Sequence, residues 1–201
     1  MEKKVFTLNA PSHDCSVLKG KEVILDPSAA VKYYGFKNFI TEYYPELCAE
    51  QKTILFPKGG WKDLKNTADE YPEQSRNVAT ATDKLTVLFQ DRHLKCIGSE
   101  SETSHETIIR HLVTNRGKKS FVVLTQKGRL ASDILDIINS IRSVKGYMVE
   151  VYRINPDGSL GEFEFNNREK CPDHGQNAEK NEMERRREND RFQEVFDQLR
   201  A

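Results

Sequence analysis

The segment Phe121-Val122-Val123-Leu124-Thr125-Gln126-Lys127-Gly128-Arg129-Leu130-Ala131 constrains the fold of this chain more than any other. Four apolar residues, two of them valines, describe a buried strand. A polar turn follows, after which apolar residues recur at Leu130, Ile134, Leu135, Ile138 and Ile141, the period of an amphipathic helix. A buried strand feeding a helix belongs to an α/β sheet, where ligands gather outside the carboxyl ends of strands. The turn Thr125-Gln126-Lys127 is therefore expected to face a crevice.

The same strand-then-helix pattern repeats along the chain. Val23-Ile24-Leu25-Asp26 reads as a strand, and Pro27-Ser28-Ala29-Ala30 as the turn opening a helix. Thr53 to Phe56 is a second strand, closed by Pro57 and Gly59-Gly60, with a helix from about Trp61. The polar stretch Tyr71 to Thr82 predicts a loop or broken helix. Asp83 to Phe89 predicts a helix with Leu85, Leu88 and Phe89 on one side. Leu94 to Gly98 is a weaker third strand, and Ser99 to Ser104 a polar loop rich in helix-capping residues. Glu106 to Asn115 then forms a helix with Ile108, Ile109 and Leu112 on its apolar face. Tyr147 to Ile154 alternates as a fifth strand. Asn155-Pro156-Asp157-Gly158 is a turn from which Leu160 to Phe165 can return antiparallel.

This order predicts an α/β fold, a three-layer α/β/α arrangement around a parallel five-stranded sheet. Its expected limits are residues 20–166, with an N-terminal extension over 1–19 and a charged, helical C-terminal tail over 167–201. In the tail Phe192, Val195, Phe196 and Leu199 form one helical stripe suited to docking on the domain itself or on a protein partner. Its Arg185-Arg186-Arg187 triplet is surrounded by acids and reads as a solvated face.

Charge is balanced at 31 basic and 31 acidic residues, so any nucleic acid must be held by a local patch rather than a global field. No run is long and apolar enough for a membrane span, and the N-terminus lacks the apolar stretch of a signal peptide. The four cysteines, Cys15, Cys48, Cys96 and Cys171, show no disulfide spacing, which points to a reduced, cytoplasmic setting. Two half-sites at opposite ends of the chain, His13-Asp14-Cys15 and Cys171-Pro172-Asp173-His174, make a poor zinc set, and isolated surface residues account for them better. No phosphate-binding loop or nucleophile elbow is present.

Three acids stand where strands end or helices begin: Asp26 after strand one, Asp63 in the helix after strand two, and Glu106 after strand three. If the strands are parallel, these acids converge on one sheet edge, as hard oxygen ligands suited to Mg²⁺ or Mn²⁺. Acids also favour helix N-termini through the helix dipole, and that reading competes closely for Glu106.

The ordered set Val23-Ile24-Leu25-Asp26-Pro27-Ser28, Ile54-Leu55-Phe56-Pro57 with Asp63, Glu106 before Ile109, and Val122-Val123-Leu124-Thr125-Gln126-Lys127 with Leu130-Ala131 resembles the PIN-domain family. The resemblance covers residues 20–155 and implies a metal-dependent nuclease acting mostly on RNA, on a five-stranded parallel sheet. It implies that Asp26, Asp63 and Glu106 hold the ion, with Ser28 and Thr125 supporting them. Asp63 stands where the family usually has glutamate. Lys127 stands where the family has an aspartate after threonine and one intervening residue. Three acids can neutralise one divalent ion, whereas an ammonium opposes a second by about 1 kcal/mol or more. Lys127 can instead contact a phosphate.

The expected activity is therefore hydrolysis of phosphodiester bonds, in RNA before single-stranded DNA. The alternative is a catalytically impaired PIN-like module that binds nucleic acid or a protein partner. A phosphohydrolase of small nucleotides is a third possibility. No membrane partner is expected.

Overall fold

The apolar runs assemble into the middle of one sheet. A computed structural model of the chain describes residues 15–31, 35–140 and 148–163. The chain divides into two units, Met1–Phe163 and Glu164–Ala201, and every described residue lies in the first. The tail, its apolar stripe and basic triplet, and three of the four residues of the zinc half-sites (His13, Cys171, His174) fall outside the described residues.

The strands are β1 (Glu22–Leu25), β2 (Ile54–Pro57), β3 (Leu94–Ile97), β4 (Phe121–Leu124), β5 (Val149–Ile154) and β6 (Leu160–Glu162). They run in the order β3-β2-β1-β4-β5-β6. The first five pair in parallel, and β6 returns antiparallel on β5 through the Asn155 to Ser159 turn. The sheet is thus mostly parallel, as expected, with a sixth strand added at its edge. Every residue of β2 and β4 is buried, whereas β3 at the edge exposes Lys95. Strands covered on both faces must be apolar throughout, which is why these runs were legible.

The helices are α1 (Pro27–Val31), α2 (Gly35–Ala49), α3 (Gly60–Glu70), α4 (Ser75–Gln90), α5 (Ser104–Thr114) and α6 (Gly128–Ser140). Alternate strand residues separate two cores. Val23, Leu25, Ile54, Phe56, Val122 and Leu124 pack with Leu18 and with apolar residues of α1 to α4. The intervening Ile24, Leu55 and Val123 are also buried, on the other side of the pleat. Phe121 shares that side and meets His111 of α5 edge-on, at a ring separation of 5.6 Å. Helices therefore cover both faces. Among the described residues no helix is long and apolar enough to cross a membrane.

The structure settles the extent of the helices at two places. Of the two alternatives for Tyr71 to Thr82, the broken helix is the one found: α3 ends at Glu70, and a short turn at Pro72–Gln74 leads directly into α4, which spans Ser75 to Gln90. Its buried stripe is Val78, Ala81, Leu85 and Leu88, and Phe89, expected on that stripe, is 54% exposed. Burial of this helix across the sheet overrides the polar composition of its first half. The sequence expectation sets no extent for the helix opening at Pro27 to Ala30; the helices found there are α1 and then α2, whose buried stripe is Phe36, Phe39, Ile40, Tyr43 and Leu47. Pro45 inside it breaks the usual signal.

Candidate functional site

The strand order itself selects one place in the sheet. The chain winds outward from β1 through β2 to β3, then crosses back to β4 on the other side of β1. Such a reversal leaves a crevice at the carboxyl ends of the two central strands. Leu25 pairs with Leu124 in register, so the residues that follow, Asp26 and Thr125, become neighbours. The Asp26 amide continues the ladder by donating to Leu124 O at 2.9 Å.

Asp26 is fully buried, and its two oxygens have different surroundings. Oδ2 accepts from the Ser28 amide (3.2 Å), from the Ser28 hydroxyl and from the Thr125 hydroxyl (3.0 Å). The bond from the Ser28 amide makes Asp26 the cap of α1, with Pro27 in the first helical position, where a missing N–H costs nothing. The acid at the end of β1 thus also has a capping role.

The hydroxyls are used in both senses. Ser28 Oγ accepts from the Gln126 amide and Thr125 Oγ1 from the Lys127 amide, each at 3.0 Å. Both hydroxyl protons are committed to Asp26, so the 3.3 Å approach between Ser28 Oγ and Thr125 Oγ1 adds no third bond. Gln126 Nε2 donates to Ile154 O at 2.6 Å, tying the turn to the end of β5. The turn after β4 is therefore folded around the carboxylate, and its amides at 126 and 127 are occupied.

Oδ1 of Asp26 is buried and accepts no hydrogen bond. Its neighbour is Lys127 Nζ at 3.8 Å, on a side chain 45% exposed. An ammonium thus stands where a cation would approach that oxygen.

Asp63 lies in the first turn of α3, and its Oδ2 accepts from Ser104 Oγ at 2.5 Å. Ser104 is fully buried at the head of α5. The two loops meet because Gly59 has no side chain: a Cβ there would stand 2.2 Å from Glu102 O. Glu106 is engaged elsewhere. It forms a capping box with Thr103, whose hydroxyl accepts from the Glu106 amide (3.2 Å), while Glu106 Oε2 accepts from the Thr103 amide (3.0 Å). His105 between them pairs with Asp133 of α6 at 2.9 Å. The residue that α5 presents to Asp63 is thus Ser104, which sequence reasoning did not single out. Its position as the first helical residue inside the Thr103-x-x-Glu106 cap was the available signal.

Known family models do not match this chain, and no curated protein matches it.

The donor set does not fit Mg²⁺ or Mn²⁺ held by three carboxylates. Among the described residues no group of three or more His, Cys, Asp or Glu side chains is gathered to hold a metal. Asp26 faces a lysine, Asp63 a serine, and Glu106 its own helix cap. Beside the site on β5, burial and then the Glu150 carboxylate push the Tyr152 hydroxyl up to about 12, so it remains a neutral donor to Glu150 Oε2 at 3.0 Å.

Proposed function

We propose that the domain is a PIN-like module whose strand-end acid site is neutralised internally, and that it binds single-stranded RNA without cleaving it. The observation that carries this reading is the 3.8 Å approach of Lys127 Nζ to the otherwise unpartnered Oδ1 of buried Asp26. A buried carboxylate needs a compensating cation, and here a side chain supplies it. Ser28 and Thr125 keep Asp26 in place, which supports a retained nuclease-like frame. Ser104 beside Asp63 supports loss of a carboxylate from the opposite wall.

Binding rests on charge at the same edge. Lys58 follows β2, Lys62 lies in the first turn of α3, Lys127 follows β4, and all three are exposed. Lysines at the rim of a crevice bind a phosphate backbone as point charges, with affinity that falls as salt rises.

A second reading, metal-dependent RNA hydrolysis, is favoured by the convergence of Ser28 and Thr125 on Asp26 and by the partly exposed Lys127 side chain. Thermal melting with and without Mn²⁺ separates the two. The binding reading expects no Mn²⁺-dependent shift, and salt-sensitive binding of a labelled single-stranded RNA that weakens in Lys58→Glu and Lys62→Glu. A Mn²⁺ stabilisation that Asp26→Asn abolishes, together with RNA cleavage, would replace it with the hydrolytic one. Absence of RNA binding at low salt would reject it.

A further inference from the structure

At the opposite edge of the sheet, two helix ends bring a thiol against an imidazole. Cys48 lies in the last turn of α2, after which the chain reverses through Gln51, at φ 49°, and reaches Lys52 just before β2. Helix α4 ends in the same way, through Arg92 at φ 61°, and delivers His93 to the entrance of β3. Strands β2 and β3 are parallel, so both entrances lie at the amino edge, away from Asp26. Ile54 N donates to His93 O at 2.9 Å and anchors the histidine backbone.

His93 Nδ1 is 3.0 Å from Lys52 O. A carbonyl can only accept, so Nδ1 carries the proton and Nε2 keeps the lone pair of the neutral ring. Nε2 lies 3.5 Å from Cys48 Sγ, within range of an S–H···N hydrogen bond. Tyr44 packs edge-on against the imidazole at 5.6 Å, while its hydroxyl donates to Asp91 Oδ2 at 2.7 Å. The ring is thus held on two sides, and Cys48 is exposed to small reagents.

We propose that Cys48 is a reactive thiol, activated by His93 and modified by low-molecular-weight disulfides. A nucleophile beside a base, with the base oriented by a third group, is the arrangement that activates a thiol. Here the orienting group is the Lys52 carbonyl. In the exchange, Cys48 Sγ passes its proton to His93 Nε2 and attacks one sulfur of the disulfide. The new Sγ–S bond forms as the old S–S bond breaks, and the departing thiolate takes the proton back from the imidazolium. The products are a mixed disulfide on Cys48 and one small thiol, with no net oxidant beyond the disulfide. The carboxyl end of α2 offers no positive field to a thiolate, so His93 is the group that makes the step accessible.

The test treats the reduced full chain with the aromatic disulfide dithiobis(nitrobenzoic acid) and follows each cysteine by peptide mass mapping. Cys48 is expected to react ahead of the half-buried Cys96. His93→Asn can keep an amide N–H on the Lys52 carbonyl but places no atom at Nε2, and should slow Cys48 on the order of tenfold with Cys96 unchanged. An unaltered Cys48 rate in that variant, shown to be folded, overturns the proposal. If the variant does not fold, the natural chain decides: a Cys48 rate no faster than that of N-acetylcysteine overturns it, and a faster one supports it.

Discussion

Lys127 Nζ stands 3.8 Å from Asp26 Oδ1, while the other oxygen of the same carboxylate collects the Ser28 amide and the Ser28 and Thr125 hydroxyls. The two oxygens divide structure from charge. Oδ2 joins the start of α1 to the turn after β4, and Oδ1 leaves a buried negative charge that the lysine offsets from the solvent side. Removing either partner therefore has a different consequence, and the two can be measured separately.

Loss of the Asp26 side chain should be costly. Asp26→Ala leaves three donors without their shared acceptor and is expected to lower unfolding free energy by about 3 kcal/mol. Urea unfolding at unchanged slope would register it as a lower midpoint. A loss no larger than that of an exposed acid would mean the network contributes little.

Reversing the charge at Lys127 should create a cation site. Lys127→Asp puts a second carboxylate beside Asp26, and Mn²⁺ is expected to raise the melting temperature of this variant while leaving the natural chain unmoved. An equal shift in both proteins would show that Lys127 does not control metal access.

Glu106 should behave as a helix cap. Thr103→Ala is expected to cost about 1 kcal/mol, and Glu106→Ala a similar or smaller amount. RNA affinity measured by fluorescence anisotropy should be unaffected by Glu106→Ala. A selective loss of binding in a stably folded Glu106→Ala would return that residue to the site.

Gly59 should resist even a methyl group. A Cβ would stand 2.2 Å from the Glu102 carbonyl oxygen, so Gly59→Ala must push apart the loops that join Asp63 to Ser104. The expected cost is about 2 kcal/mol by calorimetry. A neutral substitution would mean that the loops separate freely.

Acid should weaken the packing of α5 through His111. Burial holds its imidazole below the ordinary 6.5, the Glu22 carboxylate opposing and Lys119 and Lys95 reinforcing this, and its Nε2 is buried without a hydrogen bond. A depressed folded-state value means that the unfolded chain binds the proton first. Stability is then fully present above about pH 6.5 and lost as pH falls through the folded value. Urea midpoints at neutral and mildly acidic pH should therefore differ more for the natural chain than for His111→Leu.

The elements that could be recognised in advance share one physical cause. β1, β2 and β4 lie at the centre of the sheet, so their residues are almost all apolar and contiguous. The Thr103 to Glu106 cap is likewise a local signal, because both partners lie within one helical turn. Helix α4 was harder to see: its stripe includes the small Ala81 and is surrounded by polar residues, so only packing against the other helices reveals which side is buried.

The sequence by itself determined the strands, their parallel sense and the candidate acids, since those depend on burial patterns and neighbours along the chain. Only the tertiary structure decided which side chains meet. Ser104 and Glu106 are two residues apart on α5, roughly 200° around a helix, so they point to nearly opposite sides and Ser104 is the one turned to Asp63. Cys48 and His93 meet across 45 positions because two helices end at the same sheet edge. Lys127 faces Asp26 because β1 and β4, distant in the chain, are neighbours in register.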